Sequence, residues 1–122
     1  MNAMKKIAAY KSNAVATRTG EQIVVMLYEG AIRFLKEAKQ ATIENDFKTK
    51  GEKIGKTIDI ITELNAVLDL KKGGEIASDL RRSYRFMLEY LTQASFKKDP
   101  EMMQQIIDQL ETLHGAWKEI SK

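Results

Sequence analysis

Apolar residues return along most of this chain at steps of three and four, with polar and charged residues between them. In the first long run, Ile23, Leu27, Gly30, Phe34 and Ala38 form one stripe, and Val24, Tyr28, Ile32 and Leu35 form a second beside it. This period predicts a helix over about 20–45, and a stripe so wide exceeds what one core face requires. Thr19 with Gln22 three residues on reads as a capping box. Asp46 is the next N-cap, and Ile54, Ile58, Ile61, Leu64 and Leu68 predict a helix over about 47–70. Lys71 and Lys72 would close it at the negative end of its dipole. Gly73-Gly74 then breaks the pattern, with Gly73 suited to a left-handed cap. A third helix, about 75–95, carries Ile76, Leu80, Met87, Leu91 and Ala94, with Tyr84 and Leu88 alongside. Asp99-Pro100-Glu101 is a helix start: a cap, Pro at the first position and acid in the first turn. The fourth helix, about 100–120, places Met103, Ile106, Leu110, Leu113, Trp117 and Ile120 on a seven-residue repeat.

Helices of this length with short connections favour antiparallel neighbours. The expected fold is therefore all-α, an antiparallel up-down four-helix bundle over residues 19–122. Residues 1–18 form a short N-terminal segment expected to be mobile. It holds Lys5, Lys6, Lys11 and Arg18 and no acid, with Ile7, Tyr10 and Val15 as its apolar members. It is too short for a core of its own, so it hangs free or caps the bundle. Met1-Asn2-Ala3 precede a second Met at position 4 and are given no function.

Composition narrows this picture. The 122 residues suffice for one domain with a real core. One Pro and seven Gly suit an all-α chain. The absence of Cys excludes a disulfide framework and a Cys-based zinc site. There is neither a run of about 20 apolar residues to span a bilayer nor a secretory leader. The expected location is the cytoplasm, without stable membrane insertion. The net charge of +3 is spread over the chain rather than concentrated on one face.

Residues 51–58, GEKIGKTI, approach the phosphate-binding loop G-x-x-x-x-G-K-[ST], but three residues separate the glycines where four are needed. No buried strand precedes them, and Ile54, Ile58 and Ile61 continue a helical face through them. The stretch reads as the first turns of a helix, either slightly weak or closely approached by a neighbour. Glu111 and His114 read E-x-x-H, as in di-iron bundles, but such a site needs two of these motifs and the chain has one His. No metal site and no cofactor are expected. No G-x-S-x-G elbow or other nucleophile constellation exists, so no catalytic residue is assigned and the chain reads as a non-enzyme. Arg81, Arg82 and Arg85, flanked by Lys71-Lys72 and Lys97-Lys98, give the third helix a basic character. They sit beside Asp79 and Glu89 and read mainly as a solvated face.

The informative stretch is residues 26–35, MLYEGAIRFL. If Leu27 and Phe34 enter the core, Met26, Tyr28, Ala31 and Ile32 stand on or near the flank. Gly30 and Ala31 leave a shallow place where another backbone could approach. Tyr28 joins an apolar ring to a hydroxyl, a combination suited to interfaces. Such a surface fits an amphipathic helix laid along it. The alternative is that the second stripe is simply core.

With these residues the chain resembles the flagellar secretion chaperones of the FliS type, along nearly its whole length. The resemblance rests on Tyr10, Val15 and Thr17, on the M-L-Y-[DE]-G-A-I signature from Met26 to Ile32, and on Leu68-Asp69 followed by Gly73-Gly74-Glu75-Ile76-Ala77. Leu80, Tyr84 and the closing Ala116-Trp117 complete it. Arg18-Thr19-Gly20 departs from the Ala-Ser-Pro usual in the family and implies a looser helix start. The resemblance implies a cytoplasmic chaperone that holds the disordered C-terminal segment of flagellin, blocks premature polymerisation and delivers it to the flagellar export gate. It implies that Ile7, Tyr10, Val15, Met26, Tyr28, Gly30, Ala31 and Ile32 form the flagellin groove or its N-terminal cap. No nucleic acid partner is expected, and the chain is a monomer or a dimer. The alternative function is a helical adaptor whose basic third helix binds nucleic acid or an acidic partner.

Overall fold

The computed structural model describes residues 20–120. Among them are four helices, α1 (Gly20–Ile43), α2 (Phe47–Ala66), α3 (Leu70–Lys97) and α4 (Pro100–Ile120), and no strand. The connections are two or three residues long, which makes successive helices antiparallel. α1 packs against α2 and α4, and α3 packs against the same two. No close backbone approach joins α1 to α3 or α2 to α4, so the helices stand at the corners of a square. This is the expected four-helix bundle. The capping residue Thr19 and the segment before it lie outside the described residues.

The helix ends follow from local chemistry. Asn45 takes the left-handed conformation at φ 59°. The Asn45 N–H then reaches the Thr42 carbonyl at 3.1 Å and the Asp46 N–H reaches Ala41 at 2.8 Å, closing α1 in a Schellman motif. Asp46 opens α2 by accepting from the Thr49 N–H at 3.2 Å. Hydrogen bonding from the Thr49 side chain, and then from its backbone N–H, holds the Asp46 carboxyl below its usual range. Lys98, also left-handed, closes α3 in the same way. Asp99 then caps α4 through the Glu101 and Met102 N–H groups at 3.0 and 3.3 Å.

The α2–α3 junction differs from the sequence expectation. α2 ends at Ala66 rather than near Leu70, and Asp69 starts α3 by accepting from the N–H groups of Lys71 and Lys72 at 3.1 and 3.0 Å. Those lysines therefore open a helix instead of closing one. A free carboxylate at position 69 satisfies two orphan donors, which outweighs the apolar step that Leu68 and Leu70 would continue. Gly74, not Gly73, has the positive φ, at 53°, and kinks α3 one turn after its start.

The core consists of Tyr28, Ala31, Ile32, Leu35 and Ala38 from α1, Ile54, Ile61 and Leu64 from α2, Tyr84, Met87, Leu91 and Ala94 from α3, and Met103, Ile106, Ile107 and Leu110 from α4. Three buried polar side chains have their needs met, Thr42 by donating to the Ala38 carbonyl at 2.8 Å. The Thr57 hydroxyl donates to the Lys53 carbonyl at 2.8 Å. The buried Lys50 ammonium donates to the Ser95 carbonyl at 3.0 Å and hydroxyl at 3.2 Å. It thereby satisfies the carboxyl-terminal end of α3 with a positive charge. Around α1 and α2, three cations converge on the Phe34 ring: Arg33 at 4.9 Å, Lys56 at 5.2 Å and Lys53 at 5.4 Å. The Lys53 ammonium, 2.7 Å from Glu37, is the main reason that the Glu37 carboxyl titrates below its usual range. Residues 51–58 lie inside α2. An added Cβ at Gly51 or Gly55 would meet nothing within 4 Å, so no neighbouring helix approaches there.

Candidate functional site

The two ends of the bundle are finished differently. Where Ile43, Phe47, Lys97 and Pro100 gather, the caps and the Lys50–Ser95 bond close the structure. At the opposite end, where α1 begins and α4 finishes, the apolar stripes outrun their partners. A cavity of about 570 Å³ opens there between the start of α3 and the end of α4. Ile76, Ala77, Leu80 and Tyr84 form one wall, and Leu113, Ala116, Trp117 and Ile120 form the other. Val67 and Leu68 from the α2–α3 turn, Leu64 and Val24 complete the lining. Its polar members, Glu21, Asp69 and Lys72, are few.

This cavity exists because the seven-residue pattern continues into ends that no other described residues cover. Ile76 is 73 % exposed and Ile120 is 66 % exposed. Both continue the apolar stripes of their helices, yet stand open to solvent. Leu80, Leu113 and Trp117 are half-buried along the same opening.

Its floor is polar in one place only. Tyr84, which lines the cavity, shares a hydrogen bond of 2.5 Å with Tyr28. The two rings are tilted by 46° with centroids 6.5 Å apart. Burial pushes both phenols above their ordinary range; for Tyr28 the bond with Tyr84 opposes that shift. A neutral, protonated pair therefore sits under an apolar wall.

The residues singled out in the sequence divide into three groups. Ile7, Tyr10 and Val15 lie outside the described residues. Met26 is on the surface, 42 % exposed. Tyr28, Ala31 and Ile32 are buried, while Leu27 and Phe34, expected in the core, are half-buried. The helix is thus rotated from the expected setting, because the second stripe meets α4 and α2 together and the Tyr28 hydroxyl finds Tyr84. Gly30 does admit a close neighbour, but it is the Ile60 side chain of α2, whose Cδ1 would stand 3.3 Å from an added Cβ. Sequence reasoning missed the cavity residues Ile76, Leu113, Ala116, Trp117 and Ile120 as a group. The signal available was that all belong to one end of an up-down bundle.

The E-x-x-H pair does not converge on a common site. His114 Nε2 lies 3.0 Å from Glu29, and Glu111 lies 3.0 Å from Lys36, so each pairs separately across α1 and α4. No group of three or more potential metal-binding side chains occurs among the described residues. No described helix is long and apolar enough to cross a membrane. What the cavity offers chemically is hydrocarbon surface with a sparse polar rim. Such a surface accepts apolar side chains presented at helical spacing.

The sequence model of the family described as Flagellar protein FliS matches residues 3–122. Among curated relatives, the flagellar secretion chaperone FliS of Vibrio cholerae is 35 % identical over 120 residues, covering 98 % of this chain and 87 % of that protein. The Salmonella typhimurium FliS is 36 % identical, covering 89 % and 82 % respectively. The Bacillus subtilis FliS is 32 % identical, covering 91 % and 82 %.

Proposed function

The chain belongs to the FliS family of flagellar secretion chaperones, a family of chaperones and not of enzymes, and from that premise we propose that it holds the C-terminal segment of flagellin in the cytoplasm before export. The client segment becomes partly helical on binding and lays apolar side chains along the cavity between α3 and α4. Held there, it cannot polymerise early and stays ready for the flagellar export gate. The observation that carries this reading is the open apolar cavity walled by Ile76, Leu80, Leu113 and Trp117. A bundle that needed only stability would cover or replace Ile76 and Ile120, since exposed apolar surface of this kind marks interaction sites.

Ile7, Tyr10 and Val15 form a cap that competes with the client for the same apolar surface. That α1 begins at Gly20, next to the cavity residue Glu21, supports this reading. Competition of this kind lowers apparent affinity by the fraction of chaperone in the open state. Met26 extends the client surface along α1. Gly30, Ala31 and Ile32 support it from beneath by letting α1 pack closely, and Tyr28 does so by holding Tyr84.

Isothermal titration of the full chain with the C-terminal segment of flagellin from the same cell tests this reading. The expected result is one-to-one binding with a negative heat-capacity change, the mark of apolar burial. Trp117→Ala and Ile76→Ser weaken it, and a chain lacking residues 1–18 binds more tightly if that segment only caps. Absence of binding by a folded chain, or binding indifferent to both cavity variants, would sink the proposal.

A further inference from the structure

On the outer flank of α3, away from the apolar cavity, is a second and chemically opposite pocket. It measures about 280 Å³ and is lined by Leu70, Ser78, Arg81, Arg82 and Arg85. We propose that this arginine pocket receives the carboxylates of an acidic segment of a polypeptide partner. The site is separate from the client cavity, and it stands or falls independently of flagellin binding.

The kink at Gly74 builds the pocket. In a straight helix Leu70 and Arg85 would stand about 22 Å apart along the axis. They line one pocket because the first turn of α3 folds back at Gly74, where φ is 53°. Leu70 thereby becomes an apolar wall beside three guanidinium groups, leaving it exposed. No acidic residue lines the pocket. Arg82 is engaged by Asp79 through a short surface ion pair. The Nε of Arg81 is buried and has no hydrogen-bond partner, one of two such side-chain atoms among the described residues. The pocket thus presents guanidinium groups with no acidic side chain of its own among them, and a carboxylate is the group whose two oxygens fit a guanidinium fork.

Phosphate shares that fit, so the surroundings decide the class of partner. Single-stranded nucleic acid needs a continuous basic track and aromatic faces for its bases. Here no aromatic side chain lines the pocket, and exposed Glu75, Asp79 and Glu89 interrupt α3 on either side of the arginines. The positive surface is thus only a few side chains long, and Leu70 and Ser78 supply the mixed apolar and hydroxyl contacts of a peptide site.

Fluorescence anisotropy of the full chain provides the test. The probe is a short labelled peptide of alternating Glu and Ala, with the same peptide carrying Gln for every Glu as comparison. The Glu peptide binds, more weakly as salt rises, and the Gln peptide does not. Arg81→Gln and Arg85→Gln each weaken binding by about tenfold or more. Arg81→Lys, which keeps the charge but loses the fork, falls between. Arg85 is exposed, so its variant folds normally and keeps the test valid if the Arg81 variants melt early. Lys97→Gln with Lys98→Gln, at the other end of α3, leaves the affinity unchanged, as does Trp117→Ala in the apolar cavity. The proposal is overturned if the Glu peptide does not bind, or if the Lys97/Lys98 variant weakens it equally, which would mean diffuse charge. It is also overturned if a short single-stranded oligonucleotide displaces the peptide and its own binding depends on Arg85, which would assign the pocket to phosphates.

Discussion

The hydroxyls of Tyr28 and Tyr84 meet at 2.5 Å across the diagonal of the bundle, joining α1 and α3, whose backbones make no close approach. Two diagonal helices are therefore tied at one buried point, directly beneath the apolar cavity.

The tie predicts an ordering of variants. Tyr28→Phe strands the Tyr84 hydroxyl and should cost about 1–3 kcal/mol, and Tyr84→Phe strands the Tyr28 hydroxyl at a similar cost. Because removing both hydroxyls leaves neither stranded by the other, the double variant should be less destabilised than the sum of the singles. Urea unfolding of the four proteins measures this; strict additivity would show that the hydroxyls do not interact.

The same pair sets an alkaline limit. Both phenols titrate above their ordinary range in the folded chain, chiefly through burial. An acid whose folded pKa is raised contributes stability that is full below the unfolded value, about 10 for tyrosine, and is lost as pH rises beyond it. Thermal stability should therefore fall above about pH 10. The double Phe variant should show a shallower fall, and an identical slope in both proteins would count against the pair as its source.

The glycines should separate by context. Gly73→Ala would put its Cβ 2.6 Å from that of Ala77, and Gly74→Ala would strain a residue at φ 53°. Each should destabilise by about 1–3 kcal/mol. Gly51→Ala and Gly55→Ala meet open space within α2 and should each stabilise by about 0.4–1 kcal/mol. Melting temperatures of the four variants give the comparison directly.

Lys50→Met keeps the buried stem and removes the ammonium that bonds Ser95. A loss of about 1.5–3 kcal/mol is expected, the usual worth of a charged hydrogen bond. Urea midpoints measured against Lys48→Met, an exposed neighbour, separate the bond from a general charge effect.

The four helices were legible because their signals are local. Asp46, and Asp99 with Pro100, announce helix starts, and the period of three and four names most of the core. The end of α2 was misplaced because Leu68 and Leu70 continue the apolar step, and only the capping geometry of Asp69 decides against it. The sequence leaves Tyr28 open between flank and core, because the partner hydroxyl that decides it is 56 residues away in sequence. The cavity was hidden for a related reason: periodicity marks Ile76, Leu113, Trp117 and Ile120 as apolar but carries no word on whether anything covers them. The outward pocket was half visible, since Arg81, Arg82 and Arg85 were plain in the sequence while the kink that sets Leu70 beside them was not.

The unequal finish of the two ends has a mechanical consequence. Caps, short turns and the Lys50–Ser95 bond fasten α2, α3 and α4 at one end, and the apolar opening lies at the other. A wedge driven between α3 and α4 would find its fulcrum near Ala94 and Met103. Side chains there would hardly move, while Ile76 and Ile120, at the far end of the lever, would sweep the longest arcs. An opening of that kind would leave undisturbed the packing that keeps the bundle folded.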